Sequence, residues 1–521
     1  MHVHLFVDLW VVQGSFFGHM LKKLTGRRGS AGFWTQKRKG RMKRGRFQGK
    51  SRVVYIGTAI LVAALNTAAW NSTAFSDWYI AHIFPVWVNT YGRVTGLFPF
   101  SVGEWLLAAG VAVILLAAAL AVLWGCAGIV KGIGILTRGK KGSGGRRISG
   151  ENPGSALEKI MERASEKASE KVPGKAPEKA LEKAPGKALE KVPEKILEKA
   201  PEKALEARRN YVIFRRFSRG FGIFFVWTLL AVCLIMTLNC FVLYHASTFS
   251  EQYFGEDNQE HALVELIEVY NMVAEQCNRL SHVIGRDENG MAVYTGGLGD
   301  GGEQLDMEDM ARKLMRELGG EYPQLEGYYP RLKALLSSDF MCQQHMQGYY
   351  FPFSMEANYN HVMHILNFPA TMCHELAHLR GYIYEDEANF ISYLACTKSE
   401  DAFFQYSGYL SVLVYLNNDL YRAWKEEPLV YEEAVAVVRP VAVEEQVWED
   451  NIFVTQEEWD RVNENAWLDT DFVDRVADKF IDLNLKVNGV ADGKVSYSRV
   501  VKLLLQYYFS NLSESPWESR T

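Results

Sequence analysis

Two histidines four residues apart, with a glutamate directly after the first, are the residues in this sequence best suited to chemistry. They are His374, Glu375 and His378 in the segment His-Glu-Leu-Ala-His. On a helix this spacing places both imidazoles on one face, one turn apart, where they can hold a single metal ion. Glu375 is expected to accept a proton from the attacking water and deliver it to the leaving amine. The segment therefore predicts a zinc site with Glu375 as catalytic base.

A third metal ligand is expected soon after this motif, because catalytic zinc takes three protein ligands and keeps one position open. Glu385 begins an acidic stretch at the start of a second predicted helix, and it is the preferred ligand. Glu387 is the reserve, since it points about 200° away on an ideal helix and the two cannot both bind. Asn389, one turn after Glu385, is expected to orient a ligand by a hydrogen bond. An acidic helix N-terminus, favoured by the helix dipole, is the alternative interpretation.

Four further residues are weaker candidates for the same site. Glu356 and Asn358 are predicted to line the cleft on an edge strand that pairs with a peptide substrate, although a turn at a strand end fits equally well. Tyr406 and Tyr409 are candidates to stabilise the oxyanion of a tetrahedral intermediate. Aromatic residues at helical spacing are more often core residues, so packing is the competing interpretation for both tyrosines.

The helix that carries both histidines is predicted to lie between Thr371 as its N-cap and Gly381 just past its end. Apolar residues at helical spacing predict further helices at 258–284, 403–420 and 499–509. The glycine- and acid-rich stretch 285–303 is predicted to be a loop, and the aromatic stretch 349–360 an extended strand. The C-terminal half is therefore predicted to be mainly α-helical with a small β component.

Three apolar segments are long enough to cross a bilayer, which takes about 20 residues. They lie at residues 53–70, 105–130 and 221–244. Buried core helices are the alternative, but uncharged apolar runs of this length are rare in soluble proteins. Basic residues crowd the region before the first segment and both ends of the loop between the second and third. The positive-inside rule therefore predicts a multi-pass cell-membrane protein whose N-terminus is cytoplasmic and whose C-terminal domain is extracytoplasmic.

The predicted domain organisation follows from these segments. It comprises a basic cytoplasmic N-terminus at 1–52 (of which 1–41 is interpreted as an extension from a misassigned start), two transmembrane helices with a short extracytoplasmic loop at 53–130, a cytoplasmic Glu/Lys/Pro linker at 131–220, a third transmembrane helix at 221–245 and an extracytoplasmic domain at 246–521. Prolines are expected to interrupt any helix in the low-complexity linker. The net charge of −4 gives no sign of nucleic-acid binding. The expected partners are the lipid bilayer and a peptide or protein substrate, and the oligomeric state stays open.

The motif and the acidic stretch together resemble a known pattern. HELAH at 374–378 followed by EDEANF at 385–390 is similar to the gluzincin pattern of membrane metallopeptidases of the prenyl-protease and heat-shock-protease type. The resemblance implies that His374, His378 and Glu385 bind zinc, that Glu375 is the base and that Asn389 orients a ligand. Two departures stand out: the interval from His378 to Glu385 is short for those families, and Asn389 stands where aspartate is common.

A closer resemblance is to a bacterial family, domain of unknown function 3810, in which N-terminal spans precede a domain with a characteristic signature. Here that signature is YFPF at 350–353, EAN at 356–358, HELAH at 374–378 and EANF at 387–390. The resemblance covers the spans and most of residues 246–510, and it implies a mainly α-helical chain with three N-terminal transmembrane helices and a zincin-like α+β metallopeptidase domain. The expected function is a membrane-anchored, zinc-dependent metallopeptidase of unknown substrate. A non-catalytic zinc-binding sensor or scaffold domain outside the membrane is the alternative.

Overall fold

The computed structural model describes most of the chain, and the described part is mainly helical, as the sequence predicts. The described residues are 38–139, 194–255, 261–298, 304–466, 470, 473 and 498–509. The predictions for the first 37 residues and for the repeat before residue 194 lie outside them. The chain divides into two compact units, one of Met1–Gly110 and Trp227–Thr521 and the other of Val111–Val226. The candidate site and all its contacts lie within the first unit.

Among the described residues, three helices are long and apolar enough to span a membrane, and they coincide with the predicted segments. Their apolar parts are Ser51–Asn71, Val102–Gly125 and Arg209–His245. The helices of this half are α1 (Arg38–Asn71), α2 (Thr73–His82), α3 (Phe84–Trp87), α4 (Arg93–Thr95), α5 (Val102–Gly139) and α6 (Glu194–Met236). Short π-helical segments follow α3, at Val88–Gly92, and α6, at Thr237–Phe241, and a 3-10 turn at Leu243–His245 ends the third span.

Helix α6 begins inside the low-complexity linker. The expectation that prolines interrupt a helix there is wrong at Pro201, which lies within α6. An interior proline costs a helix about 3 kcal/mol. The residues around it are mostly Glu, Lys, Ala and Leu, which are strong helix formers, and the same helix continues into the third span. Favourable propensity summed over many residues therefore outweighs one proline.

The segment between the first two spans folds into the protein core, although the sequence suggested only a short loop. Ile80, Phe84 and Val88 are buried in the same hydrophobic core as the domain that follows the third span. The carboxylate of Asp77 accepts hydrogen bonds from the backbone N–H and the hydroxyl of Ser247, each at 2.7 Å. The segment is thus a structural part of that domain.

The remaining elements follow the third span. The helices are α7 (Phe249–Tyr253), α8 (Leu263–Ser281), α9 (Met307–Leu318), α10 (Ser338–Cys342), α11 (Phe368–His378), α12 (Glu385–Thr397), α13 (Ala402–Glu426), α14 (Pro428–Val437), α15 (Glu445–Asp450), α16 (Gln456–Glu464) and α17 (Arg499–Phe509), with 3-10 turns at Pro323–Leu325 and Ile365–Asn367. The strands are β1 (Gly297–Leu298), β2 (Gln304–Leu305), β3 (Lys333–Ala334), β4 (Gly348–Phe351) and β5 (Glu356–Tyr359). Helices α8, α12, α13 and α17 confirm the helices predicted at these positions.

A small three-stranded sheet has the order β3-β5-β4. The stretch 349–360, predicted as one strand, is a hairpin in which β4 and β5 pair antiparallel, and β3 pairs with β5 in parallel. The middle strand is β5, so placing Glu356 and Asn358 on an edge strand was wrong. The turn at 352–355 explains the difference, because Pro352 cannot donate a ladder hydrogen bond and Met355 adopts a left-handed φ of 54°.

Helix α11, which carries the paired histidines, packs against α9, α12 and α13 and against both β4 and β5. It begins at Phe368, with Pro369 in its first turn, so the prediction of Thr371 as N-cap was wrong. Proline is favoured in a first turn because that position needs no amide donor. The Thr371 hydroxyl instead donates to the side-chain oxygen of Gln347 at 2.8 Å, which ties the helix to the residue before β4.

A buried ion pair between Lys333 and Glu356 joins the sheet to the second span. Their side chains are 2% and 1% exposed, and the ammonium also donates to the carbonyl of Thr95 at 2.7 Å. The Glu356 carboxylate accepts the backbone N–H groups of Val102 at 3.2 Å and Gly103 at 2.8 Å. These are the first amides of α5, which have no partner within the helix. Glu356 is therefore a cap of the second span.

We expect Glu356→Gln to lower the free energy of unfolding by about 3–5 kcal/mol, because it leaves the Lys333 ammonium buried and unpaired. The double variant Lys333→Met, Glu356→Gln removes both charges and should recover most of the loss. Arg331→Met, which removes an ion pair with Glu308 at the surface, is the control and should cost at most about 1 kcal/mol. Chemical denaturation of the full chain in detergent measures all three; a loss for Glu356→Gln no larger than the control's contradicts the assignment.

Candidate metal centre

Three side chains converge at the end of α11 and the start of α12. The Nε2 atoms of His374 and His378 lie 3.1 Å apart, and Glu385 Oε2 lies 3.0 Å from the first and 3.9 Å from the second. In the part of the chain that the structure describes, this is the one group of three or more His, Cys, Asp or Glu side chains that could hold a metal ion. The Glu385 side chain is 62% exposed, so the cluster is open on its side.

Hydrogen bonds on the far side of each imidazole fix which nitrogen faces the cluster. His378 Nδ1 lies 2.7 Å from the backbone carbonyl of Tyr382, which can only accept, so this nitrogen carries the proton. His374 Nδ1 lies 2.8 Å from Asn389 Oδ1, which accepts in the same way. When both rings are neutral, their Nε2 lone pairs point at each other and at a carboxylate, an arrangement that favours a cation between them.

Two of the three distances in the cluster are close to those between ligands of a zinc ion. Zinc binds His nitrogen and carboxylate oxygen at about 2.0–2.2 Å, so two ligands of a tetrahedral site lie roughly 3.3 Å apart. The distances of 3.1 Å between the imidazoles and 3.0 Å from His374 to Glu385 are close to that value, whereas the 3.9 Å from His378 to Glu385 is longer. The donor set of two imidazoles and one carboxylate is also typical of catalytic zinc.

The pKa values of the two imidazoles shift in opposite directions. Burial lowers the pKa of His378 to about 4, so this ring is neutral near pH 7 and its lone pair is available. Burial would also lower the pKa of His374, but the hydrogen bond to Glu385, the charges of Glu385 and Glu375 and the hydrogen bond to Asn389 together outweigh this effect, so the pKa is raised. A proton therefore competes with a metal ion mainly at His374, between the ring and the carboxylate.

A tight turn after α11 brings Glu385 to the histidines. Gly381 adopts a φ of 93°, a left-handed conformation that favours glycine, and the chain reverses before α12 begins at Glu385. A Cβ on Gly381 would lie 3.1 Å from the Ile80 side chain, so the turn also packs closely on the segment between the spans. The glycine is required both for the conformation and for the contact.

Glu375 lies beside this cluster, buried beneath β4. Burial raises its pKa to about 8, while the backbone N–H of Tyr350 donates to the carboxylate and acts against the shift. A Cβ on Gly348 would lie 2.7 Å from Glu375 Oε1, so only glycine allows the strand to approach so closely. Among the described residues, the buried Glu375 Oε2 has no hydrogen-bond partner. One carboxylate oxygen is thus held by the strand, and the other has hydrogen-bonding capacity left for a further group.

The structure places the reserve ligand elsewhere. Glu387 is buried and accepts the backbone N–H of Phe249 at 2.6 Å, at the start of α7. Burial raises its pKa to about 8. It faces away from the imidazoles because residues two apart on a helix point in nearly opposite directions. Glu385 is therefore the acidic residue of this stretch that meets the two histidines.

Four other sequence candidates also lie outside the cluster. The Tyr406 hydroxyl donates to Asp450 at 2.8 Å, and Tyr409 packs its ring on Tyr393 with centroids 5.8 Å apart. Both tyrosines are buried, so the core interpretation is correct for them. Glu356 belongs to the ion pair described above. Asn358 is buried on β5, where its side-chain amide contacts the Tyr349 carbonyl at 3.3 Å.

Several residues at the site were missed by the sequence reasoning. The Asn389 side-chain amide donates to the hydroxyl of Tyr415 at 3.3 Å, so Tyr415 is the tyrosine of α13 that reaches the cluster. The backbone groups of Tyr350 and Tyr382 hold Glu375 and His378. Backbone contacts carry no sequence signal, and only the packing of α13 on α12 brings Tyr415 into place. The YFPF segment of the family signature, which includes Tyr350, was the sequence feature that could have indicated this part of the site.

The described part of the chain is mainly helical, with three helices that could span a membrane and one open His–His–Glu cluster, which is typical of a membrane protein with a folded domain. The family model described as "Protein of unknown function (DUF3810)" matches residues 204–505, which is more than half of the chain. The chain therefore belongs to the DUF3810 family, as its motifs suggested. No curated protein and no solved structure matches the chain.

Asn389→Ala removes the acceptor for His374 Nδ1–H, so we expect the affinity for zinc to fall by about 10- to 100-fold. Asn389→Asp keeps an acceptor oxygen and should bind zinc within a few-fold of wild type. Tyr415→Phe is the matched control, because it removes the other hydrogen bond of the same amide. Competition with a chromophoric chelator measures each affinity, and an unchanged value for Asn389→Ala would show that this hydrogen bond does not orient the ligand.

Proposed function

We propose that the protein is a membrane-anchored, zinc-dependent metallopeptidase whose domain after the third span has a zincin-like α+β fold. The observation that supports this best is the position of Glu375. A buried carboxylate with one unpartnered oxygen lies beside an open cluster of three metal-binding side chains. A closed structural zinc site would fill its fourth position with protein and needs no such neighbour, which argues against a purely non-catalytic sensor or scaffold.

In this proposal His374, His378 and Glu385 hold the zinc ion. When bound, zinc supplies Lewis acidity that polarises the scissile carbonyl and makes water a better nucleophile. Hydrogen bonds to Tyr382 and Asn389 keep both Nε2 lone pairs directed into the site. The chain thus supplies an oriented set of donors and leaves the exposed side beside Glu385 for the substrate.

Glu375 is the general base and then the general acid. It takes a proton from the attacking water and returns it to the leaving amine. Burial favours the protonated carboxyl group, whereas a cation held by the neighbouring imidazoles favours the carboxylate. The two effects act on the pKa of Glu375 in opposite directions, so a metal ion would lower that pKa from its raised value and favour the carboxylate that accepts the proton.

The edge strand β4 is the part of the sheet that fits an extended peptide. It lies at the edge of the three-stranded sheet, directly over Glu375. A peptide that adds to this edge as a further strand would take the Tyr350 N–H from the carboxylate of Glu375, and main-chain hydrogen bonds of this kind depend little on sequence. The strand proposed to pair with a peptide substrate is therefore β4, and not β5, which carries Glu356.

Glu375→Gln should reduce peptide hydrolysis at least 100-fold, on the order of the general acid–base contribution, while zinc stays bound. Glu387→Gln is the matched control, because it alters a buried glutamate two residues beyond Glu385 that faces Phe249 instead of the cluster. Hydrolysis of a mixed peptide library, with zinc content measured on the same samples, separates loss of the base from loss of the metal. A Glu375→Gln protein that still turns over would exclude this mechanism.

We further propose that the domain after residue 245 is extracytoplasmic. The segment between the first two spans packs into the same core as this domain, which supports placing both on one side of a membrane. The basic residues before the first span and around Arg215 favour the cytoplasm for the opposite ends.

Labelling of intact cells with a membrane-impermeant maleimide tests this orientation. Glu288→Cys, at an exposed position of the domain, should be labelled without lysis. Arg215→Cys, at an exposed basic position before the apolar segment 221–244, should be labelled only after lysis. The reverse pattern would place the candidate site in the cytoplasm.

A further inference from the structure

We propose that the substrate of this site is a polypeptide that emerges from the bilayer and is cleaved within a few residues of its membrane anchor. The inference rests on the proposed peptidase function and names its substrate class. Three sets of contacts carry it: the first two connect the cluster to the ends of the first and third spans, and the last connects β4 to the start of the second span.

The first set runs from the third metal-binding side chain to the ends of the third and first spans. Tyr384, the residue before Glu385, donates its hydroxyl to the carbonyl of Tyr244 at 2.8 Å, and the two rings lie 5.3 Å apart. The next residue, His245, contacts the ring of Trp70 with centroids 4.5 Å apart. Trp70 ends the first span and is 74% exposed. Tryptophan at the end of a span is typical of the membrane–water interface.

The second set links the histidine side of the cluster to the third span. The ring of Tyr350 lies 6.2 Å from the ring of His378, and its hydroxyl donates to the carbonyl of Asn239 at 3.2 Å. The Asn239 side chain in turn donates to the carbonyl of Pro352 at 2.7 Å. The β4–β5 hairpin is therefore fastened to the π-helical end of this span, and the cluster lies directly behind it.

The third set of contacts shows that β4, the strand proposed to bind the peptide, runs from Glu375 to the start of the second span. Strand β4 begins at Gly348, beside Glu375, and ends at Phe351. A Cβ on Gly103 would lie 2.7 Å from the Phe351 ring, so this end of the strand packs on the first turn of the second span. Three residues of strand cover about 10 Å. Leu97, just before that turn, is 82% exposed, which is typical of a residue in contact with lipid.

These distances define which peptide bonds can reach the site. A chain that pairs with β4 runs along the line from Glu375 to the membrane end of α5. An extended chain covers about 3.3–3.6 Å per residue, so roughly three to six residues separate the cleaved bond from the bilayer. A polypeptide segment just outside a membrane anchor satisfies this geometry. The anchor keeps that segment at the distance from the bilayer at which β4 lies, before the segment binds.

Three reporters that share one mixed-sequence segment test the proposal with the full chain in phosphatidylcholine–phosphatidylglycerol vesicles. In the first, the segment directly follows a single transmembrane anchor. In the second, a helical spacer of about 20 residues lifts it roughly 30 Å above the same anchor. The third is the free peptide. Both anchored reporters gain equally from confinement to the membrane, so their comparison isolates the height of the site.

We expect the first reporter to be cleaved at least tenfold faster than the second, at bonds within about six residues of the anchor. Equal or faster cleavage of the spaced reporter or the free peptide overturns the inference and leaves the peptidase function standing. Failure of the zinc-loaded protein to cleave any reporter, with Glu375→Gln indistinguishable from wild type, rejects the function and the inference together.

A depth measurement gives a readout that does not depend on hydrolysis. Gln347 is exposed and directly precedes β4. A fluorophore on Gln347→Cys should be quenched by lipids with a nitroxide on the headgroup, compared with vesicles of the same lipids without the nitroxide. An unquenched label places the strand far above the bilayer and overturns the inference.

Discussion

The arrangement of the site depends on two imidazole nitrogens that are held with their lone pairs facing each other, 3.1 Å apart. Neither ring is free to turn away, because the other nitrogen of each is fixed by a carbonyl oxygen. One of these carbonyls belongs to the turn after α11 and the other to a side chain of α12. The turn, the start of α12 and the paired histidines therefore form one unit, and a cation between the two nitrogens would relieve the repulsion between their lone pairs.

Much of this architecture could be predicted from sequence, since local patterns determine it. Apolar length predicted the three spans, helical periodicity predicted α8, α12, α13 and α17, and the spacing of His374 and His378 placed both rings on one face. The turn at Gly381 and the opposite directions of Glu385 and Glu387 also follow from local geometry. The identity of any bound metal and the reaction stay predictions.

What the sequence could not predict depends on contacts between distant segments. The stretch 349–360 has strand-like composition throughout, so nothing local showed that it folds back into a hairpin with Glu356 on the middle strand. Glu356 gains its partners from Lys333 and from the start of α5, far away in the chain. The tyrosine near the cluster was sought on the correct helix but at Tyr406 and Tyr409, because only tertiary packing shows that Tyr415 faces it.

Because residues 72–101 pack into the core of the domain that follows the third span, that domain includes them as well as the residues after 245. A fragment that starts at residue 246 would lack Ile80, which covers the turn at Gly381, and Asp77, which binds Ser247. It would also leave the carboxylate of Glu356 without the amides of α5. Truncation at the end of the third span would thus expose apolar surface and buried charge together. The functional unit is discontinuous in sequence, and it can be produced whole only from a chain that retains its membrane helices.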